Sequence, residues 1–179
     1  MLLNSARIPS RVDADGSLLR LKDQDRKLWD QAIIARGMFH FGQSAAGNEL
    51  TEYHLQAGIA ACHCTARDYD STDWKQILLL YDRLVELDNS PIVALNRAIV
   101  LANIQGPQAG VEAITSINNR DKLKSYYLLY AALGEFEERL NHLPAAAAHF
   151  RRALELAELS SERVFLARRL QACEAQANL

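Results

Sequence analysis

The side chains best suited to chemistry are Cys62, His63 and Cys64, with His54 about two helical turns upstream. Thiolates and imidazoles are the usual ligands of zinc-like ions, and neighbouring thiols can cycle through oxidation. The spacing argues against one tetrahedral ion. On a helix, two residues of separation turn Cys62 and Cys64 about 200° apart. Cysteine also serves as a small buried hydrophobe. Helix packing is the simpler reading, and a metal or thiol sensor built on these four residues is the alternative. No metal ligand set and no cofactor is assigned.

Three other groups could make specific contacts. Gln24, Asp25 and Arg26 open an apolar-periodic segment, where Asp is favoured by the helix dipole. They read either as a docking surface or as caps and an ion pair that fix the preceding chain. Asn96 and Arg97 lie between Leu95 and Ala98 in mid-helix, where a charge is costly unless paired. They suit an anion or peptide-terminus contact, or a structural pair in which Arg97 meets Asp82 or Glu86. Of Tyr126, Tyr127 and Tyr130, Tyr126 is the candidate for an exposed partner contact, while Tyr130 falls at a core position. The sequence has no phosphate-cradling glycine loop, no His-Glu-x-x-His and no Gly-x-Ser-x-Gly elbow. The chain is therefore not expected to be an enzyme.

The elements that must position these residues are helices. Trp74 to Leu87 is amphipathic and ends at Asp88-Asn89; Ser90 and Pro91 then start another helix. Serine caps an orphan amide, and proline at the first helical position has its dihedral preset. Similar punctuation occurs at Gly106-Pro107 and Leu143-Pro144. Asp23 is expected to cap a helix over 24–43, followed by a loop over 42–48, and Thr51 one that runs to about Tyr69. Further helices are expected over 91–105, 107–117, 123–140 (closed by Asn141), 144–159 and 161–176. Asp13 to Gly16 is a turn, and 17–21 is extended. The class is all-α: roughly nine helices in stacked antiparallel hairpins, a superhelical array like that of tetratricopeptide (TPR) repeats. The repeat pattern is clearest where Ala146, Phe150 and Ala153 follow Tyr130, Leu133 and Gly134. Glu137 and Glu158 depart from it.

With 179 residues and 49% hydrophobic residues, the chain can bury a full core. Three cysteines do not suggest a disulfide framework. A net charge of −2, with Glu155, Glu158 and Glu162 between Arg151-Arg152 and Arg168-Arg169, argues against a phosphate-backbone grip. No stretch is apolar enough to span a bilayer, and the N-terminal residues lack a signal-peptide pattern. A cytoplasmic location is expected.

Several strings taken together carry a resemblance: Arg11-Val12-Asp13-Ala14-Asp15-Gly16, Asp23-Gln24-Asp25-Arg26, Trp29-Asp30, Leu55 to Ala61 with Gln56 inside it, Thr72-Asp73-Trp74, Ser90 to Ala98 and Gly106 to Gly110. The chain resembles the C-terminal TPR-like extension of bacterial extracytoplasmic-function (ECF) RNA polymerase sigma factors. The resemblance implies a regulatory protein-interaction domain, with promoter recognition and transcription initiation belonging to a parent polypeptide. Its partners would be the parent's other domains and RNA polymerase, with DNA contacted only by the parent and no membrane. Residues 1–22 would be the end of a preceding helix and an extended lead-in, and 23–179 the TPR-like domain. Phe39-His40-Phe41, His54 and Asn141-His142 depart from the family's pattern. The alternative is a freestanding TPR-like scaffold that binds a peptide or protein outside transcription.

Overall fold

The computed structural model describes residues 1–44 and 49–177. Among them are nine α-helices and no strand beyond an isolated bridge, so the chain is an all-α array of helical hairpins. The chain divides into two compact units. The first comprises Met1–Asp13 and Leu19–Asn89; the second comprises Ala14–Leu18 and everything from Ser90 onward. Leu3 and Ala6 are buried in the first unit's core.

The first unit holds α1 (Leu2–Ser5), α2 (Gln31–Ser44), α3 (Glu52–Thr65) and α4 (Trp74–Leu87). The helix expected from Gln24 begins seven residues later. Residues 24, 25 and 29 are extended around a 3-10 turn at Arg26–Leu28, which Asp25 caps by accepting from the Lys27 amide at 2.9 Å. Side-chain bonding to distant backbone overrides helix propensity there. Asp30, rather than Asp23, accepts from the Ile33 amide (2.9 Å) at the start of α2. The loop expected over 42–48 is helical through Ser44, and its remainder lies outside the described residues. The helix after Thr51 ends at Thr65, short of Tyr69. Asp73 caps α4, its carboxylate accepting from the Gln76 amide at 2.9 Å.

The second unit holds α5 (Pro91–Gln105), α6 (Pro107–Thr115), α7 (Tyr127–Arg139), α8 (Leu143–Leu156) and α9 (Ser160–Ala177). A 3-10 turn at Arg120–Leu123 occupies the expected start of α7. Consecutive helices pack as hairpins, α5 on α6, α7 on α8 and α8 on α9. Two glycines set the spacing. A Cβ at Gly134 would lie 2.7 Å from the Phe150 ring, and one at Gly110 would lie 2.6 Å from both Ala102 and Phe136. The absent side chains let a ring sit against the facing backbone, which is the small-against-aromatic contact that the repeat spacing implies. Asn141 closes α7 at φ 62°, and the His142 amide donates to the Glu137 carbonyl at 2.8 Å. The 14–18 segment is held by Leu18 N–H donating to the Ser161 carbonyl (3.1 Å) and by Asp15 paired with Arg168 (3.0 Å).

Phe150 is 1% exposed and packs among Ala146, Ala153 and Leu166. Phe150→Ala is expected to cost about 3–5 kcal/mol, read as a lower urea midpoint with an unchanged slope.

Candidate functional site

In the first unit, α1, α2 and α3 enclose an open groove of about 440 Å³. Helical spacing builds its walls: Gly37, His40, Phe41 and Ser44 face it from α2, and Tyr53, His54, Gln56, Ala57 and Ala60 from α3. Met1 to Asn4 close one side. The lining is mainly apolar. Tyr53 is 73% exposed, and Phe39, next to His40 in the chain, is 64% exposed. His54 is fixed by a capping box, its Nδ1 accepting from the Thr51 amide at 3.2 Å and lying 2.8 Å from the Thr51 hydroxyl.

Of the candidates for partner contact, only Gln56, from the Leu55 to Ala61 string, lines this groove, and it is exposed. His54 joins it from the thiol–imidazole group. His40, Phe41 and Tyr53 did not stand out as site residues. The signal was the bulky Phe39-His40-Phe41 string, whose departure from the resembled pattern falls on the groove wall.

Gln24, Asp25 and Arg26 act as braces. The Gln24 amide donates to the Leu19 carbonyl (3.0 Å), and Asp25 caps its own turn. Arg26 donates to the carbonyls of His63 (2.6 Å) and Ala66 (2.8 Å) and to the Thr72 hydroxyl (2.9 Å). It thereby satisfies acceptors at the end of α3 that no helical amide reaches. The Trp29 ring lies 4.9 Å from the Arg26 guanidinium and 5.2 Å from that of Arg7. The ion pair expected at Arg26 is replaced by hydrogen bonds to carbonyls.

In the second unit, Asn96 and Arg97 are half-buried on α5, and Arg97 is engaged with its surroundings. Glu86, one of its two expected partners, pairs with Arg83 on its own helix (2.9 Å). Tyr126 is half-buried at the start of α7. It packs on the Leu95–Phe136 core and meets Tyr127 edge-on at 6.2 Å, so it is less open than expected. Tyr127 donates to Glu162 at 2.6 Å; burial and that carboxylate raise its pKa. Tyr130 packs in the core as its repeat position implies, with its hydroxyl on the Lys124 carbonyl.

Cys62 and Cys64 are free thiols, both raised by burial. Cys64 Sγ donates to the Leu3 carbonyl (3.5 Å). The His63 ring packs edge-on against Trp74 at 5.5 Å, and burial, with Arg7 and Arg26 nearby, lowers its pKa to about 4. Among the described residues, no three His, Cys, Asp or Glu side chains are grouped to hold a metal ion. Among the same residues, no helix is long and apolar enough to cross a membrane.

Residues 1–45 match a family described as "Family of unknown function (DUF6596)". The chain is 33% identical over 166 residues to the "Uncharacterized protein R00370" of Rhizobium meliloti (strain 1021). That alignment covers 93% of this chain but 39% of the relative, so the chain spans about two-fifths of the relative's length. No solved structure matches the chain.

The buried imidazole sets a pH dependence. His63 titrates near 4 when folded and near 6.5 when unfolded, so the unfolded chain takes the proton first. Stability from this group is whole above pH 6.5 and is lost as pH falls toward 4. Between pH 7 and pH 4.5 the loss is about 2–3 kcal/mol. Urea denaturation at both pH values should show a smaller acid loss in His63→Gln by about that amount; equal losses would place the ring in solvent.

Proposed function

We propose that this chain is the regulatory protein-interaction part of an ECF-type RNA polymerase sigma factor. It works in the cytoplasm, has no catalytic chemistry of its own, and contacts the other domains of a longer polypeptide. The observation that carries this reading is the α1–α3 groove. An apolar channel with Tyr53 open to solvent, and Phe39 exposed next to it in sequence, is a surface that soluble proteins keep for a partner. The hairpin array supports it, because such arrays present helix faces and grooves rather than polar catalytic clefts. The sequence strings support it by their resemblance. The Rhizobium relative supports it in one respect: more than half of that protein lies outside the match, as a domain of a larger protein requires. Occupation of the groove would shift the balance between active and inactive forms of the parent.

The first test is to read the genomic DNA upstream of the Met1 codon. A continuous frame encoding a basic helix-turn-helix is the expected outcome; a stop codon followed by a ribosome-binding site would favour the freestanding scaffold. The functional test is transcription from a cognate promoter by purified polymerase with the longer polypeptide. Ala57→Trp, which fills the groove from α3, is expected to change transcript yield several-fold, in the same direction as deletion of residues 1–179. Unchanged yield with both variants, under all conditions tried, would sink the regulatory reading.

A further inference from the structure

The first unit contains a buried guanidinium with no carboxylate among its ionisable neighbours. Arg7 follows α1 with its guanidinium largely out of solvent and 5.2 Å from the Trp29 ring. Its ionisable neighbours are Arg11, the Cys64 thiol and Arg26, and burial, followed by the charge of Arg11, lowers its pKa. Among the described residues, Arg7 Nε has no hydrogen-bond partner. A guanidinium removed from water is normally paired, because its desolvation is otherwise uncompensated. Two more buried polar atoms in the same cluster share the deficit: Trp29 Nε1, on a residue only 3% exposed, and His63 Nδ1. Arg26 ties them together, with its guanidinium 4.9 Å from the Trp29 ring and its Nη1 on the His63 carbonyl. The cluster therefore combines two cations, of which Arg26 has Asp68 near it, with three orphaned nitrogens. Arg7 Nε–H and the indole N–H are obligate donors, and neutral His63 becomes a third as the Nδ1–H tautomer.

We propose that Arg7, Trp29 and His63 form a binding site for one oxyanion group, of the size of phosphate or a carboxylate. Arg7 supplies the charge and a directed Nε–H, Trp29 and His63 supply neutral donors, and Arg26 adds long-range attraction while its own hydrogens stay on α3 and Thr72. The part of Arg7 that stays accessible leaves the site an entrance. The oxyanion can be a free ion or an acidic side chain of a longer polypeptide. The site does not depend on the sigma-factor reading.

The chain has two tryptophans, so its amide spectrum carries two indole resonances, which Trp74→Phe assigns. Inorganic phosphate is titrated into the 179-residue chain against chloride at matched ionic strength. The Trp29 indole resonance is expected to move saturably, with Arg7→Gln weakening the midpoint about tenfold or more, as loss of a charge-assisted bond requires. No movement beyond the chloride control, or the same midpoint in Arg7→Gln, overturns the proposal. Should Arg7→Gln not fold, Arg7→Lys keeps the charge without the Nε–H and is expected to weaken the midpoint as well. In the longer polypeptide, a retained response identifies a free anion as occupant. A silent Trp29 already at the phosphate-bound shift identifies an internal carboxylate, and a silent Trp29 at the unbound shift overturns the site.

Discussion

Close approach between helices is the constraint on which this architecture rests. An aromatic ring can lie against a facing helix only where that helix has no side chain, and the chain supplies such positions at Gly110 and Gly134. Phe136 and Phe150 occupy the space a Cβ would take. Each ring is nearly inaccessible, so its contacts carry dispersion and burial together. The alanines of α8 extend the same logic, since Ala146 and Ala153 are fully buried. Electrostatics then lock what packing brings together. Arg169 lies over the rings of Phe150 and Phe165 and pairs with Glu135 and Glu138 of α7, tying α9 back across the hairpin.

The first unit solves a different problem, that of fixing irregular chain. Residues 19–30 turn through two 3-10 segments, and their exposed carbonyls and amides need partners. Gln24 supplies one locally by donating to the Leu19 carbonyl, and the Asp30 amide donates to the Ala6 carbonyl at 3.0 Å, while Arg26 ties the segment to the end of α3 through the His63 carbonyl. Trp29 is the packed centre of this arrangement, with a cation 4.9 and 5.2 Å away on either count. A stacked guanidinium gains from the ring's quadrupole, more so away from water. That gain supports Arg26, whose hydrogens are used on carbonyls, better than Arg7, whose Nε–H is left without a partner.

Legibility in the sequence followed the range of the interactions. The bounds of α4 and α5 were readable because local signals set them: amphipathic spacing, Asp73, Pro91 and Gly106, although the Ser90 hydroxyl at the N-cap of α5 makes none of the capping bonds expected of it. Asn141 was readable for the same reason, as a residue that tolerates the left-handed conformation. The start of α2 was not, because the apolar spacing of Leu28 and Trp29 continues the helical period while their environments differ. Leu28 is 57% exposed and Trp29 is 3% exposed. Only contacts made tens of residues away, from Arg26 to His63 and Thr72, reveal that this stretch is a brace. Gln56 was a candidate through resemblance alone, whereas the groove that it lines required the packing of three separate helices.

The groove and the buried cationic centre share α1 and α3, and this joint ownership gives the first unit its interest. Leu3 lines the groove, and its carbonyl receives the Cys64 thiol; four residues on, Arg7 stands over Trp29. α3 presents Tyr53, Gln56, Ala57 and Ala60 to the groove in its earlier turns and carries His63 and Cys64 in its last. A four-residue helix has little intrinsic stability, so α1 is held by what it packs on at either end. An occupant that tightens α1 from the groove side also fixes the approach of Arg7 to Trp29. An anion at Arg7, by lowering the cost of its buried charge, fixes α1 for the groove. Each ligand would then spare the other part of the ordering cost, which is positive coupling without any change of fold.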